Sequence, residues 1–203
     1  MQALLGTNYY VIIFMCMTQG IFLAMTICGV IIFPMLLSRK WRPKMRLARE
    51  AAAFAAATGG LLGLITFGLV VYSTWKMMSP MVESYEKFGL AAPDYWGNLF
   101  NEYTAVVLGV FLLAALMLIP RVRRWFLPFF LLTLATSAFY GYALLEVIEN
   151  YKQVSVFARM AARFTSIWTW FGIGFLIYIV LASLYYFLKS RKLADPSVPA
   201  AGQ

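Results

Sequence analysis

Five apolar blocks of roughly twenty residues, separated by short basic or aromatic stretches, constrain this chain more than any other feature. A helix of that length crosses the hydrocarbon core of a bilayer. Inside the bilayer every backbone polar group must be satisfied within the chain, which leaves helices as the way to span it. The expectation is an all-α integral membrane protein, a bundle of five transmembrane helices with a short outer amphipathic helix. The spans are placed at about 9–37, 51–72, 103–119, 125–148 and 167–188, within one transmembrane domain covering 1–192. Pro34 bends the first span near its end, Pro120 stops the third, and Pro128 sits in the first turn of the fourth, where proline is tolerated. No basic stretch precedes the first block and it exceeds a signal-peptide core, so it reads as a retained span.

Composition agrees with the pattern. Of 203 residues 63% are hydrophobic and 12% are charged, about half the charge of a soluble domain. A soluble globular enzyme and a disordered chain are both excluded. Histidine is absent. That removes bis-histidine haem, ordinary zinc sites, the Ser-His-Asp triad and a histidine proton shuttle. Cys16 and Cys28 share the first span, separated by about 18 Å of helix rise, too far to pair with each other.

The net charge of +9 suits topology better than nucleic acid, which is not expected as a partner. Twelve of the seventeen Lys and Arg fall in 39–49, 121–124 and 189–192. With the N-terminus outside, all twelve face the cytoplasm and only Lys76, Lys87, Lys152, Arg159 and Arg163 lie outside. The positive-inside rule then places the C-terminus in the cytoplasm, with a bacterial plasma (inner) membrane as the setting. All six tryptophans fall near span ends, at headgroup level. The basic run 39–46 also suits anionic headgroups, but orientation accounts for it without a ligand.

Two outer stretches are more than turns. Residues 74–102 read as a long aromatic loop with Tyr85, Phe88, Tyr95, Trp96 and Phe100. Residues 151–164 carry Val154, Phe157, Ala161 and Phe164 at helical spacing, the pattern of a surface helix. The polar segment 193–203 reads as a disordered cytoplasmic tail.

No Asp, Glu, Lys or Arg falls mid-span, which argues against a proton pump or a carrier of charged substrates. Small polar residues do occur there. Gln19, Thr133, Ser137 and Tyr140 form a candidate cofactor-binding pocket, with Thr18 and Thr136 beside them. Such groups hydrogen-bond a quinone carbonyl or line a path for a neutral solute; they also serve simply as interhelical ties. Gly59 and Gly63 form a GxxxG pair that admits a neighbouring helix, from this chain or a partner. Trp96 and Phe100 are candidate partner contacts because aromatics dominate interface hot spots. Met77, Met78 and Met81, with Met15, Cys16, Met17, Met25 and Cys28, offer soft sulfur for Cu(I), although methionine also fills apolar gaps.

The function expected from these features is a non-catalytic, haem-free membrane subunit of a larger assembly, such as a respiratory or other electron-transfer complex. The alternatives are a channel or carrier for a small neutral solute and a quinone-binding subunit. Besides lipid, the expected partners are other membrane or outer-side subunits. A reporter active only in the cytoplasm should work when fused after Lys192 and fail when fused within 82–95. The opposite pattern would reverse the orientation.

Overall fold

The computed structural model describes residues 2–91, 94–149 and 165–194. Every described element is a helix: α1 (Gln2–Leu37), α2 (Arg42–Lys87), α3 (Tyr95–Leu99), α4 (Glu102–Leu116), α5 (Pro120–Arg124), α6 (Phe126–Glu149) and α7 (Thr165–Ala194). Three stretches are long and apolar enough to cross a membrane: Tyr10–Leu37 of α1, α2, and Trp168–Arg191 of α7. Two more helices are apolar but shorter, with Thr104–Leu116 in α4 and Phe126–Tyr142 in α6. The fifteen residues of α4 rise only about 22 Å, less than the hydrocarbon thickness. The expected surface helix at 151–164 and the tail from 195 lie outside the described residues.

Helices outlast their apolar blocks. The segment expected as a loop from 74 is helical as far as Lys87, within a single helix of 46 residues that rises about 69 Å. Loss of apolarity marks where a helix leaves the bilayer, not where it ends. Met, Lys and Glu between Lys76 and Glu86 are good helix formers. Pro80 withholds one backbone donor, and the Ser84 hydroxyl donates to the Pro80 carbonyl at 2.8 Å. Gly89, with φ of 63°, takes up the left-handed turn just after the end. Likewise α7 continues through Lys189 and Arg191 to Ala194, so residues 193 and 194 are helix and not tail. The stretch 121–124, read as a connection, is the short helix α5 with Pro120 as its first residue.

The core is built around α1, which packs on α2, α6 and α7. Its Ile21, Phe22, Ala24 and Met25 are buried against the alanine face of α2, Ala114 and Met117 from the α4 end, and Phe129 and Leu132 of α6. Water drives little of this inside a membrane, where lipid is as apolar as leucine; close packing and hydrogen bonds hold the helices. Glycines make the packing close. A Cβ at Gly20 of α1 would collide with the Phe171 carbonyl of α7, and one at Gly174 of α7 with the Met17 carbonyl of α1. Gly59 faces Ile21 of α1, where a Cβ would lie 2.6 Å from Ile21 Cγ2. A Cβ at Gly63 would lie 2.7 Å from the Phe111 ring of α4, and one at Gly60 would meet backbone, 2.5 Å from Ala115 N and 2.7 Å from Phe111 O. The GxxxG pair thus makes its close contacts within this chain.

The three basic segments meet at one end of the bundle. Arg49 of α2 donates to the Arg124 carbonyl at 2.6 Å. Arg123 of α5 lies over the rings of Phe54 and Tyr185, at 5.3 and 4.9 Å. Lys189 of α7 pairs with Glu50 of α2. Arg49, expected in a solvated connection, is only 8% exposed. It lies on the stripe of Ala52, Ala53, Ala56 and Gly60, at helical spacing, so burial of that face carries it inward.

Gly60→Leu should lower the stability of the detergent-solubilised chain by roughly 1–3 kcal/mol, because the opposing atoms are backbone and cannot rotate away. Gly68→Leu, with nothing within 4 Å of its Cβ position, should leave the unfolding midpoint unchanged. Equal effects of the two in thermal unfolding would refute the close α2–α4 approach.

Candidate functional site

The polar residues of α1 and α6 meet in two cross-helix ties. The Tyr140 hydroxyl donates to the Gln19 carbonyl at 2.7 Å and lies 3.0 Å from Gln19 Oε1. One helical turn away on α6, Thr136 meets Thr26 of α1, hydroxyl to hydroxyl, at 2.8 Å. Each of these threonines is also in reach of its own helix, Thr26 of the Phe22 carbonyl at 2.8 Å and Thr136 of the Leu132 carbonyl at 3.0 Å. A hydroxyl has one proton, so one donates across while the other donates down its own helix.

Of the four candidate pocket residues, the structure therefore joins Gln19 and Tyr140. Thr133 donates to the Phe129 carbonyl at 2.8 Å and fills the hollow opposite Gly29, where a Cβ would collide with its methyl. Ser137 is half-buried beside them. Neither lines the small cleft that Gln19 and Tyr140 share with Phe22, Val110, Phe111 and Thr136, about 140 Å³ in volume. Gln19 also borders a second cavity, about 300 Å³, on the other side of α1 with Cys16, Trp168 and Phe171. Its carbonyl and side-chain oxygens face the Tyr140 hydroxyl, while its amide nitrogen makes no hydrogen bond among the described residues. The site thus offers a neutral donor between two apolar cavities, with no charged group lining either.

A second candidate surface lies at the end of the bundle opposite the basic cluster. There the extension of α2 and the short helix α3 frame a cleft of about 350 Å³, lined by Trp75, Met78, Val82, Glu83, Glu86 and Trp96 among others. Asp94 caps α3, accepting from the Gly97 N–H at 2.8 Å, and Asn101 caps α4, accepting from the Thr104 N–H at 2.8 Å. These caps set α3 in place. Trp96 stacks on Phe100 with ring centroids 6.0 Å apart, and Phe100 meets Phe67 of α2 edge-on at 6.0 Å. Both remain open, Trp96 at 43% and Phe100 at 57% exposure. Phe100 anchors α3 to α2, and Trp96 faces the cleft.

The sulfur-bearing residues differ in setting: Met15 and Cys16 line one cavity together. Met77 and Met81 are exposed on the α2 extension, Met25 is wholly buried in the core, and Cys16 and Cys28 are separate free thiols on α1. Among the described residues no group of three His, Cys, Asp or Glu side chains is placed to hold a metal ion. Trp75 and Tyr178 were not singled out from the sequence. Trp75 stands at a span end and Tyr178 inside an apolar span, places where an aromatic carries no signal of its own. Tyr178 is wholly buried; its hydroxyl lies beside the Cys28 thiol of α1 and has no stronger partner among the described residues.

No family model, curated protein or solved structure matches this chain.

The two tyrosines should respond unequally to loss of the hydroxyl. Tyr140→Phe removes the tie to Gln19 and should cost about 0.5–1.5 kcal/mol of stability. Tyr178→Phe removes a hydroxyl whose neighbour is only the weakly hydrogen-bonding Cys28 thiol and should cost less. Thermal unfolding of both variants in one detergent checks this; a Tyr178→Phe as costly as Tyr140→Phe would mean that its hydroxyl has a stronger partner.

Proposed function

We propose that this chain is a non-catalytic, haem-free, five-pass subunit of a larger membrane assembly, with an electron-transfer complex of a bacterial plasma membrane as the setting. Its N-terminus lies outside and its C-terminus in the cytoplasm. One observation carries the reading. The helix α2 continues well past the bilayer thickness and, with α3, presents an open aromatic cleft around Trp75 and Trp96. A rigid helical projection with exposed tryptophans costs little conformational entropy to dock, and tryptophan is enriched among interface hot spots. The interior supports the same view: its buried threonines and Tyr140 serve as ties between α1 and α6 or bond back to their own helices. In this reading α4 and α6 complete the five passes, α4 with the aid of local thinning of the bilayer.

A second reading has a specific observation behind it. The Gln19 amide, between cavities on both faces of α1, suits one carbonyl oxygen of a quinone or another neutral ligand.

Gentle detergent purification, followed by mass spectrometry and an absorption spectrum, tests both. Co-purifying subunits should be lost from a Trp75→Ala, Trp96→Ala double variant that keeps its unfolding midpoint. A variant that retains every partner would remove the cleft from the reading, and a lone chain carrying an extractable quinone would favour the second.

A further inference from the structure

Beside the core, α1, α2 and α7 leave a groove of about 790 Å³ that opens toward the side of the bundle. Its walls are apolar or small: Cys28 and Ile32 of α1, Ala48 and Ala51 of α2, Ser183 and Phe187 of α7. Along α7 the lining runs from Ile179 to Phe187, about 12 Å of helix rise. The alanines make the groove, since any larger side chain at Ala51 would project into it. A cleft of this shape in a helical surface within a bilayer is filled by something as apolar as its walls.

Beyond the groove its helices carry cations. One turn beyond Phe187 on the same face of α7 is Arg191, whose guanidinium lies over the Phe187 ring at 4.2 Å. One turn before Ala48 on the same face of α2 is Lys44, whose ammonium lies 5.7 Å from the Trp41 ring. Among the described residues neither cation makes an ion pair, and Glu50 is taken by Lys189. Trp41 marks headgroup level at this end. An apolar groove whose helices continue, one turn on, to two cations with no ion pair among the described residues has the chemistry of an acidic lipid, acyl chain along the groove and phosphate at its mouth.

We propose that this groove is a binding site for one anionic phospholipid, its phosphate held between Lys44 and Arg191. The site rests on the membrane-spanning reading of α1, α2 and α7 and needs neither a partner subunit nor a particular orientation. It also gives Lys44, one member of the basic run at 39–46, a ligand.

Native mass spectrometry of the full chain in detergent, with phosphatidylglycerol and phosphatidylcholine of the same acyl chains, tests the proposal. One phosphatidylglycerol should be retained in preference to phosphatidylcholine. Lys44→Gln with Arg191→Gln should lower that preference roughly thirtyfold, given about 1 kcal/mol of attraction for anionic lipid from each basic residue. Arg121→Gln with Arg124→Gln removes the same charge from α5, which contributes nothing to the groove lining, and should leave the preference intact. Ser183→Trp fills the groove from an exposed position and should expel the lipid without lowering the unfolding midpoint. Three results would overturn the site: a control pair as damaging as the groove pair, which means diffuse surface attraction; lipid retained in Ser183→Trp; or loss from Ser183→Trp of a co-purifying protein helix in place of lipid. Failure of the reporter fusions would reverse the orientation and leave this assay unaffected.

Discussion

Backbone-to-backbone approach across glycine holds this bundle together. In hydrocarbon the hydrophobic effect does not favour helix association, so dispersion over short distances and a few hydrogen bonds must do it. Gly20 and Gly174 let α1 and α7 touch through their carbonyls, and Gly60 does the same for α2 and α4. Everything else follows from α1 being held this closely. Its polar face is set against α6, where the Tyr140–Gln19 and Thr26–Thr136 ties form. Its other side, with α7 and α2, frames the groove lined by Cys28, Ile32, Ala48 and Phe187.

The charged end of the molecule obeys a different constraint. Four cations, Arg49, Arg123, Arg124 and Lys189, lie together with one carboxylate, Glu50. Aromatic faces and a backbone carbonyl take the place of counter-ions. Arg123 lies over two rings, and Arg49 combines the Arg124 carbonyl with the ring of Phe126 at 6.0 Å. Guanidinium tolerates this better than ammonium, because it is planar, weakly hydrated and stacks. Among the described residues the buried Nε atoms of Arg49 and Arg123 have no hydrogen-bond partner, and this end of the bundle carries more positive than negative charge.

Of the candidate site, half was legible. Gln19 and Tyr140 stood out because they are polar in apolar surroundings, and they do meet. Thr133 stood out equally and turns instead to its own helix and to Gly29, since a threonine hydroxyl bonds its i−4 carbonyl at almost no cost. Thr136, in the same polar stripe of the fourth span, makes the second tie and lines the cleft. The glycines show the same limit. Gly59 and Gly63 match a known spacing, whereas Gly20 and Gly174 sit on different helices with no local motif and make an equally close contact.

The order of residues alone determined that this is an all-helical, membrane-type chain, about where its apolar blocks lie, and that its positive charge is concentrated in three segments. Those are properties of length, hydropathy and count, which need no partner to be read. Tertiary structure decided that Arg49 turns inward, that α2 outlasts its apolar block to frame a cleft with α3, and which face each glycine gives to which helix. The physical reason is that hydropathy reports the solvent a residue prefers. It says nothing of which neighbour will stand within 4 Å, and in a bilayer that choice is made by side-chain shape.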